Sequence, residues 1–75
     1  MTIAQLRQLY YAQPFQPFVM HLADGRAITV HHPEFIAAAP NGRIVSVFQP
    51  DSSSSFVDLL LVTDLEIKQA PDNRG

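Results

Sequence analysis

Two runs of alternating apolar and polar residues flank an Asp-Gly turn signal, and this feature restricts the fold most tightly. The runs are Phe18-Val19-Met20-His21-Leu22 and Arg26-Ala27-Ile28-Thr29-Val30-His31, with Ala23-Asp24-Gly25 between them. The pattern predicts an antiparallel β-hairpin. A two-residue Asp-Gly loop would turn Ile28 and Val30 to the wrong face. A three-residue bulged loop, with Gly25 left-handed, places every large apolar side chain on one face, and we therefore predict this loop.

The N-terminal segment has the pattern of a short amphipathic helix. Thr2 and Gln5 have the spacing of a capping box, in which two side chains satisfy backbone N–H groups at a helix start. Apolar side chains then recur at helical intervals, at Ile3, Leu6, Leu9 and Tyr10. The sequence predicts a helix over residues 3–12, and Pro14 and Pro17 prevent its continuation.

Further strands follow the first hairpin. Pro33 interrupts the second strand, which predicts a bend before Phe35 and Ile36 restore apolar character. Asn41-Gly42 is a favoured turn pair and predicts a second hairpin. Residues 43–49 carry apolar side chains on both faces, which is typical of a strand in the middle of a sheet.

The second half of the chain predicts a loop, a two-faced strand and a turn. Pro50-Asp51 and the serines at 52–55 have the composition of a mobile loop. Residues 56–62 form the most hydrophobic run. Because neighbours on a strand point to opposite faces, its consecutive leucines would present apolar groups on both sides. Thr63-Asp64 predicts a single turn before a last strand at 65–67.

The order of these elements predicts a mainly β fold, α+β by count, with one helix and about five antiparallel strands. A bent second strand and a tight turn before the last one match the plan of SH3-like small barrels, including Sm-like ones. A strongly curled open sheet with the helix across one face fits the same apolar pattern, so both alternatives stay open. We expect a single domain over residues 1–69, with the sheet at 18–68 and a flexible tail at 70–75.

Four blocks of the chain form a distinctive set: Ala12-Gln13-Pro14-Phe15-Gln16-Pro17-Phe18, Leu22-Ala23-Asp24-Gly25-Arg26, His32-Pro33-Glu34-Phe35 and Asp58-Leu59-Leu60-Leu61-Val62-Thr63. Together they resemble a family of small uncharacterised bacterial proteins that has these blocks in the same order. No catalytic residue, cofactor or substrate is established for that family. The resemblance therefore implies a compact bacterial domain and no particular chemistry.

Charge and composition argue against several classes of function. The 75 residues include five Lys and Arg against seven Asp and Glu, which gives a net charge of −2, and there is no cysteine. No excess positive charge is present to neutralise phosphates, so nucleic acid is a disfavoured partner. Residues 1–13 are too polar for a signal peptide, and no apolar run approaches the roughly 20 residues of a membrane span. We expect a cytoplasmic protein without a membrane partner.

The histidines are the first candidates for chemistry, because His, Asp and Glu side chains bind metals. In the predicted register His21 and His31 lie roughly 13 Å apart along one face, at about 3.3 Å per residue, which is too far for one zinc ion. His32 and Glu34 form the best candidate site, as an acid and base pair in a ligand-contacting loop. A structural role for this segment, in ending the strand, is the simpler interpretation. We predict no metal and no cofactor.

The sequence shows no nucleophile with a base placed to activate it. Ser46 lies in a predicted strand and the other serines lie in a predicted loop, without a base placed to activate them. Gly25 and Gly42 are isolated turn glycines and form no phosphate-binding loop. The sequence predicts that the protein is not an enzyme.

Two further pairs of residues are candidate interaction sites. Arg26 and Arg43 each follow a predicted turn and would contact RNA in an Sm-like fold. Leu60 and Val62 belong to the two-faced strand, whose outward face is covered either by the N-terminal helix or by another subunit.

The leading hypothesis is a binding or assembly module that self-associates, or docks on a protein partner, through a strand edge and an exposed apolar face. An Sm-like RNA-binding module is the alternative. A small metal-dependent enzyme around His31, His32 and Glu34 is the third hypothesis.

Overall fold

A computed structural model describes residues 1–68, and within them the chain forms one α-helix, six strands and two 3-10 helices. The elements are α1 (Ile3–Tyr10), β1 (Phe18–Leu22), β2 (Ala27–Val30), β3 (Ile36–Ala38), β4 (Ile44–Phe48), β5 (Ser54–Asp58) and β6 (Val62–Ile67), with 3-10 helices at Pro33–Phe35 and Leu59–Leu61. The fold is mainly β, as predicted, with six strands in place of about five. The predicted tail at 70–75 lies outside the described residues.

The strands of residues 1–68 form two antiparallel sheets of three strands each. The first sheet has the order β2-β1-β6, and the second sheet has the order β3-β4-β5. Strands β2 and β3 follow each other in the chain but belong to different sheets, with the 3-10 helix Pro33–Phe35 between them. The predicted bend at Pro33 is therefore a full break, because proline cannot donate to a strand ladder.

The register of the first hairpin is confirmed. Phe18 lies opposite Val30 and Met20 lies opposite Ile28. Gly25 has a φ of 92°, in the left-handed region, and its N–H donates to the carbonyl of Leu22 at 3.0 Å. The three-residue loop thus places the apolar side chains of both strands on one face, as the alternation predicts.

The helix is confirmed at its start and is two residues shorter than predicted at its end. The N–H of Gln5 donates to Thr2 Oγ1 at 3.2 Å, and the N–H of Thr2 donates to Gln5 Oε1 at 2.9 Å, which completes the capping box. Tyr11 is already the C-cap, with its N–H directed to the carbonyls of Arg7 and Leu9. The helix therefore ends at Tyr10, four residues before the first proline, Pro14.

The predicted strand over residues 56–62 is interrupted, because residues 56–58 end β5 and a 3-10 helix precedes β6 at Val62. The Asp58 carboxylate accepts the N–H of Leu60 at 2.9 Å and starts the 3-10 helix Leu59–Leu61. Because this helix repeats every three residues, Leu59 and Val62 both enter the core and are 2% and 5% exposed, whereas Leu60 is 71% exposed. The leucine run carries the chain from the second sheet to the first and does not present two apolar faces.

The predicted turn at Thr63-Asp64 is wrong, because both residues lie inside β6. His21 of β1 lies opposite Asp64, and Leu22 lies opposite Val62. Thr63 is thus an extra residue on β6, as in a β-bulge. Its hydroxyl donates to the carbonyl of His21 at 3.1 Å, which holds the irregular pair together.

The loop predicted over 50–55 is shorter than expected, because its last two serines belong to β5. A tight turn joins β4 to β5, in which the N–H of Gln49 donates to the carbonyl of Ser53 at 2.8 Å. Ser52 has a φ of 72°, the conformation that Gly25 has in the first hairpin. The Asp51 carboxylate accepts the N–H of Ser53 at 2.9 Å and fixes this turn.

One apolar core joins the helix and both sheets. Its buried side chains are Leu6, Tyr10, Phe18, Met20, Leu22, Ile28, Val30, Ile36, Val45, Val47, Val57, Leu59 and Val62. No polar or charged side chain is buried among the described residues. Residues 1–68 also contain no helix long and apolar enough to cross a membrane.

Candidate interaction surface

His32 and Glu34, the best candidates for an acid and base pair, lie at the 3-10 helix that separates the two sheets. The His32 ring packs edge-on against Phe35, with 4.9 Å between ring centroids. The carbonyl of His32 accepts the N–H of Phe35 at 3.0 Å. Within residues 1–68 no hydrogen bond or ion pair joins His32 to Glu34, and both side chains are exposed. These contacts support the structural interpretation of the segment.

Arg26 and Arg43, the candidates for RNA contact, each lie beside a carboxylate, Asp24 in the first hairpin turn and Asp58 at the end of β5. Arg26 Nε donates to Asp24 Oδ2 at 2.9 Å, and Arg43 Nη2 lies 3.6 Å from Asp58 Oδ2. An exposed ion pair of this kind is weak, but it cancels the local positive charge that a phosphate would need. Each of the two arginines therefore already has a carboxylate partner.

His21 has a partner that the sequence did not predict, on the outer face of the first sheet. Its Nε2 lies 2.9 Å from Glu66 Oε1, across the pairing of β1 and β6. This hydrogen bond holds the pKa of Glu66 below its usual range, with Lys68 adding to the effect. In the described part of the chain, no three side chains of histidine, aspartate or glutamate converge in a way that would hold a metal ion.

Leu60 and Val62, the candidate apolar contacts, have different environments. Leu60 projects from the 3-10 helix and is largely exposed, together with its neighbour Leu61. Val62 is buried in the core and is not accessible to a partner. Of this predicted pair, only Leu60 is available for contact.

An exposed apolar surface lies on the outer face of the second sheet, and the sequence pattern did not predict it. Val45 and Val47 of β4 are fully buried, so Ile44, Ser46 and Phe48 point to the opposite side. In the next strand Phe56 lies opposite Ser46 and is 76% exposed, and Phe48 is 47% exposed. We call this surface, formed by Ala37, Ile44, Ser46, Phe48 and Phe56, the outer face.

A shallow depression lies beside Phe56 on the outer face. It has a volume of about 240 Å³ and is lined by Ala37, Ala38, Ala39, Ile44, Ser46 and Phe56. Small side chains leave this space because Ala37 lies opposite Ser46, which in turn lies opposite Phe56. The three strands β3, β4 and β5 carry one charged residue, Asp58, and Arg43 lies against it. The surface is therefore apolar and has little net charge.

The edge of the second sheet next to Phe56 is open. Among the described residues β5 pairs only with β4. Hydrogen bonds from Gln49 to Ser53 and from Leu59 to Arg43 mark the two ends of that ladder. Because bonded pairs alternate along antiparallel strands, the backbone groups of Ser54, Phe56 and Asp58 point away from β4. They form a row of donors and acceptors beside the exposed phenylalanine.

One signal in the sequence pointed to the outer face. Ile44 and Phe48 place apolar groups on the second face of β4, and this pattern predicts a central strand, which β4 is. A strand can be central in its sheet, however, and still have one face exposed, because that face is buried only where another layer of the protein packs against it. The pattern at 56–62 predicts a two-faced strand and does not indicate that Phe56 lies opposite Ser46.

The four sequence blocks lie at the junctions of the fold. They join α1 to β1, turn β1 into β2, separate β2 from β3, and carry the chain from β5 into β6. Each block therefore has a structural role at a junction between elements. No family model, curated protein or solved structure matches the chain.

Proposed function

We propose that this protein is a protein-interaction and assembly module, not an enzyme, and that it works through the outer face and the β5 edge. The observation that carries the proposal is Phe56, which is 76% exposed beside a depression lined by alanines. Contiguous exposed apolar surface is uncommon on monomers and marks interaction sites. Burying one phenylalanine stabilises a complex by about 1.5–3 kcal/mol.

The polar alternatives have weaker support. Interfaces are enriched in aromatic residues at their centre and depleted in charge, as the outer face is. The outer face of the first sheet instead carries a hydrogen-bonded polar pair, His21 with Glu66. The charged pair of the second sheet, Asp58 with Arg43, lies at the end of β5. RNA binding, the second hypothesis, lacks an unpaired arginine at either predicted position, because Asp24 and Asp58 lie against them.

We further propose that the two sheets are halves of a strongly curled, SH3-like barrel, in which β2 and β3 act as one bent strand. The order β6-β1-β2 and then β3-β4-β5 supports this, since only the short segment around Pro33 separates β2 from β3. The barrel would have a seam between β5 and β6, where residues 1–68 show no strand pairing. The bacterial family and the cytoplasmic location stay predictions from the sequence.

Site-specific photo-crosslinking in the producing cells tests the proposed function. A photoreactive amino acid replaces Phe48 or Phe56 on the outer face, and Glu34 serves as an exposed control position. We expect the same adduct, defined by mass spectrometry, from both phenylalanine positions and not from Glu34. A Ser46→Lys substitution in the depression is expected to abolish that adduct. Indistinguishable products from all three positions would contradict the proposal.

A further inference from the structure

We propose that the partner at the β5 edge is a second copy of this chain, paired antiparallel through β5 across a two-fold axis at Phe56. The inference rests on the proposed function and names its partner. It joins two second sheets into one continuous sheet of six strands, with the order β3-β4-β5-β5-β4-β3. A two-fold arrangement of this kind closes on itself and does not extend into a fibre.

The edges of the two sheets differ in how well they are protected. Natural proteins block sheet edges with short strands, prolines, charged side chains or bulges. Strand β3 has three residues and lies near Pro33 and Pro40, and β6 carries exposed Asp64 and Glu66 as well as an irregular register. Strand β5 has five residues in regular register and no proline, and its one charged side chain, Asp58, is at its last position. Strand β2 has four residues, and the carbonyl of its Thr29 already accepts the side-chain N–H of Gln49. Strand β5 is therefore the edge best suited to accept another strand.

Full overlap of the two β5 strands, with their outward backbone groups bonded, selects one register for the pair. Only Ser54, Phe56 and Asp58 direct backbone groups outward, so these positions must bond to the second copy. Full overlap of the five residues places Phe56 opposite Phe56 of the second copy. The same register places Ser54 opposite Asp58 of the second copy, twice by symmetry, and a serine hydroxyl donates well to a carboxylate.

Charge supports the same register. With Phe56 at the axis, the two Asp58 carboxylates lie four residues apart along the paired strands, roughly 13 Å at 3.3 Å per residue. An axis at Asp58 would set them directly opposite each other, which is destabilising. An axis at Ser54 would leave Phe56 outside the overlap. The chosen register is thus the one that pairs donor with acceptor, separates like charges and joins the two aromatic rings.

The paired edge also covers the most exposed aromatic side chain. Both Phe56 rings lie on the outer face, so each packs against the other across the strands, as aromatic cross-strand pairs do. The two depressions then flank the central pair of rings. The paired edge is about 17 Å long, at 3.3 Å per residue, so the interface between the two copies is small. We therefore expect the fraction of dimer to increase with protein concentration.

Sedimentation analysis of the purified chain against concentration is the first test. We expect the mass to rise from 8.4 kDa toward a value roughly twice as large. Ser54→Pro removes an outward N–H without touching the β4 ladder, and Phe56→Lys places a charge at the axis; both are expected to keep the chain monomeric. Tyr11→Lys, which changes a similarly exposed aromatic side chain outside the outer face, is the matched control and is expected to dimerise. Circular dichroism checks that each variant is folded.

A single cysteine gives a direct test of the axis, because residues 1–75 contain no other cysteine. Cross-strand partners in a bonded pair have Cα atoms roughly 5.5 Å apart, within the range that a disulfide spans. Mild oxidation is therefore expected to link Phe56→Cys into dimers. Ser46→Cys, one strand inward, would lie about three strand spacings from its copy, or roughly 14 Å, and is expected to stay unlinked.

The outcomes separate this inference from the proposed function. A chain that stays monomeric at millimolar concentration, or a dimer that survives Ser54→Pro and Phe56→Lys, overturns the β5 pairing. If the photoreactive Phe56 position then still forms its defined adduct with a different protein, the proposed function stands without this dimer. If neither dimer nor adduct forms, both proposals are wrong.

Discussion

Gly42, in the turn between β3 and β4, lies directly against Ile3 at the start of α1. A Cβ placed on Gly42 would come within 3.3 Å of Ile3 Cγ2. Gly42 also has a φ of 70°, which side chains with a Cβ adopt reluctantly. The start of α1 therefore packs against the β3–β4 turn, and the lack of a side chain at Gly42 makes this contact possible.

Replacing Gly42 by alanine is expected to destabilise the protein by about 1–3 kcal/mol, because backbone strain and the contact with Ile3 act together. Gly25→Ala is the matched control. Gly25 has a φ of 92° but no atom within 4 Å of a built Cβ, so this variant carries the strain alone. Urea denaturation of both variants measures the difference. Equal losses of free energy of unfolding would mean that the helix contact has no effect.

Ser52 occupies the position in the β4–β5 turn that Gly25 has in the first hairpin, with a φ of 72°. Ser52→Gly is therefore expected to stabilise the protein by about 0.5–1 kcal/mol, because glycine adopts this conformation without a Cβ penalty. Ser53→Gly, one residue on, removes a hydroxyl that bonds to Asp51 and is expected to destabilise it. Thermal unfolding of the two variants distinguishes them, and a Ser52→Gly variant that unfolds at a lower temperature would contradict the argument.

The leucine run offers a test of the 3-10 helix. Leu59→Ala is expected to lower the free energy of unfolding by about 2–5 kcal/mol, because Leu59 is fully enclosed by the core. Leu60→Ala is expected to change it by less than about 0.5 kcal/mol, because Leu60 is largely exposed. On a continuous strand over 56–62 both side chains would be covered, one by the core and the other by a second layer. Similar losses of free energy of unfolding for the two variants would favour that continuous strand over the 3-10 helix.

Acid is expected to destabilise the protein through three exposed carboxylates. Hydrogen bonds lower the pKa of Glu66 (chiefly from the side chain of His21), Asp24 (from the backbone of Arg26) and Asp51 (from the side chain of Ser53). A lowered folded-state pKa contributes stability that is present above the ordinary values of 4.5 and 3.8 and is lost as the pH falls through the lowered ones. Denaturation between about pH 3 and pH 7 measures this decline. A combined Glu66→Gln, Asp24→Asn and Asp51→Asn variant is expected to decline less steeply. An unchanged slope would rule out these groups.

The parts of the fold that short-range chemistry determines were predictable from the sequence. The helix start follows from Thr2 and Gln5, and the register of the first hairpin follows from Gly25 and the alternation around it. The leucine run was not predictable in the same way. A short apolar run fits a strand or a helical turn equally well, and Asp58 decides between them only because its carboxylate reaches the N–H of Leu60.

The candidate surface was harder to predict than the fold. Whether Phe56 is exposed depends on its strand partner Ser46 and on the absence of a further layer, and neither is a property of neighbouring residues in the sequence. His32 attracted a chemical interpretation because of its residue type, although its ring packs on Phe35. Residue type alone identifies chemistry only where the fold brings partners together.

The pairing of β1 with β6 is the non-local step in folding and is expected to limit the folding rate. Among residues 1–68 the other strand pairs are all hairpins between successive strands, which close short loops. Phe18 and Ile67, by contrast, are brought together although 49 positions separate them in the sequence. Loop closure over such a distance is the largest single entropic step, and non-local pairing slows folding. We therefore expect the rate of folding to depend on the pairing of β6 with β1.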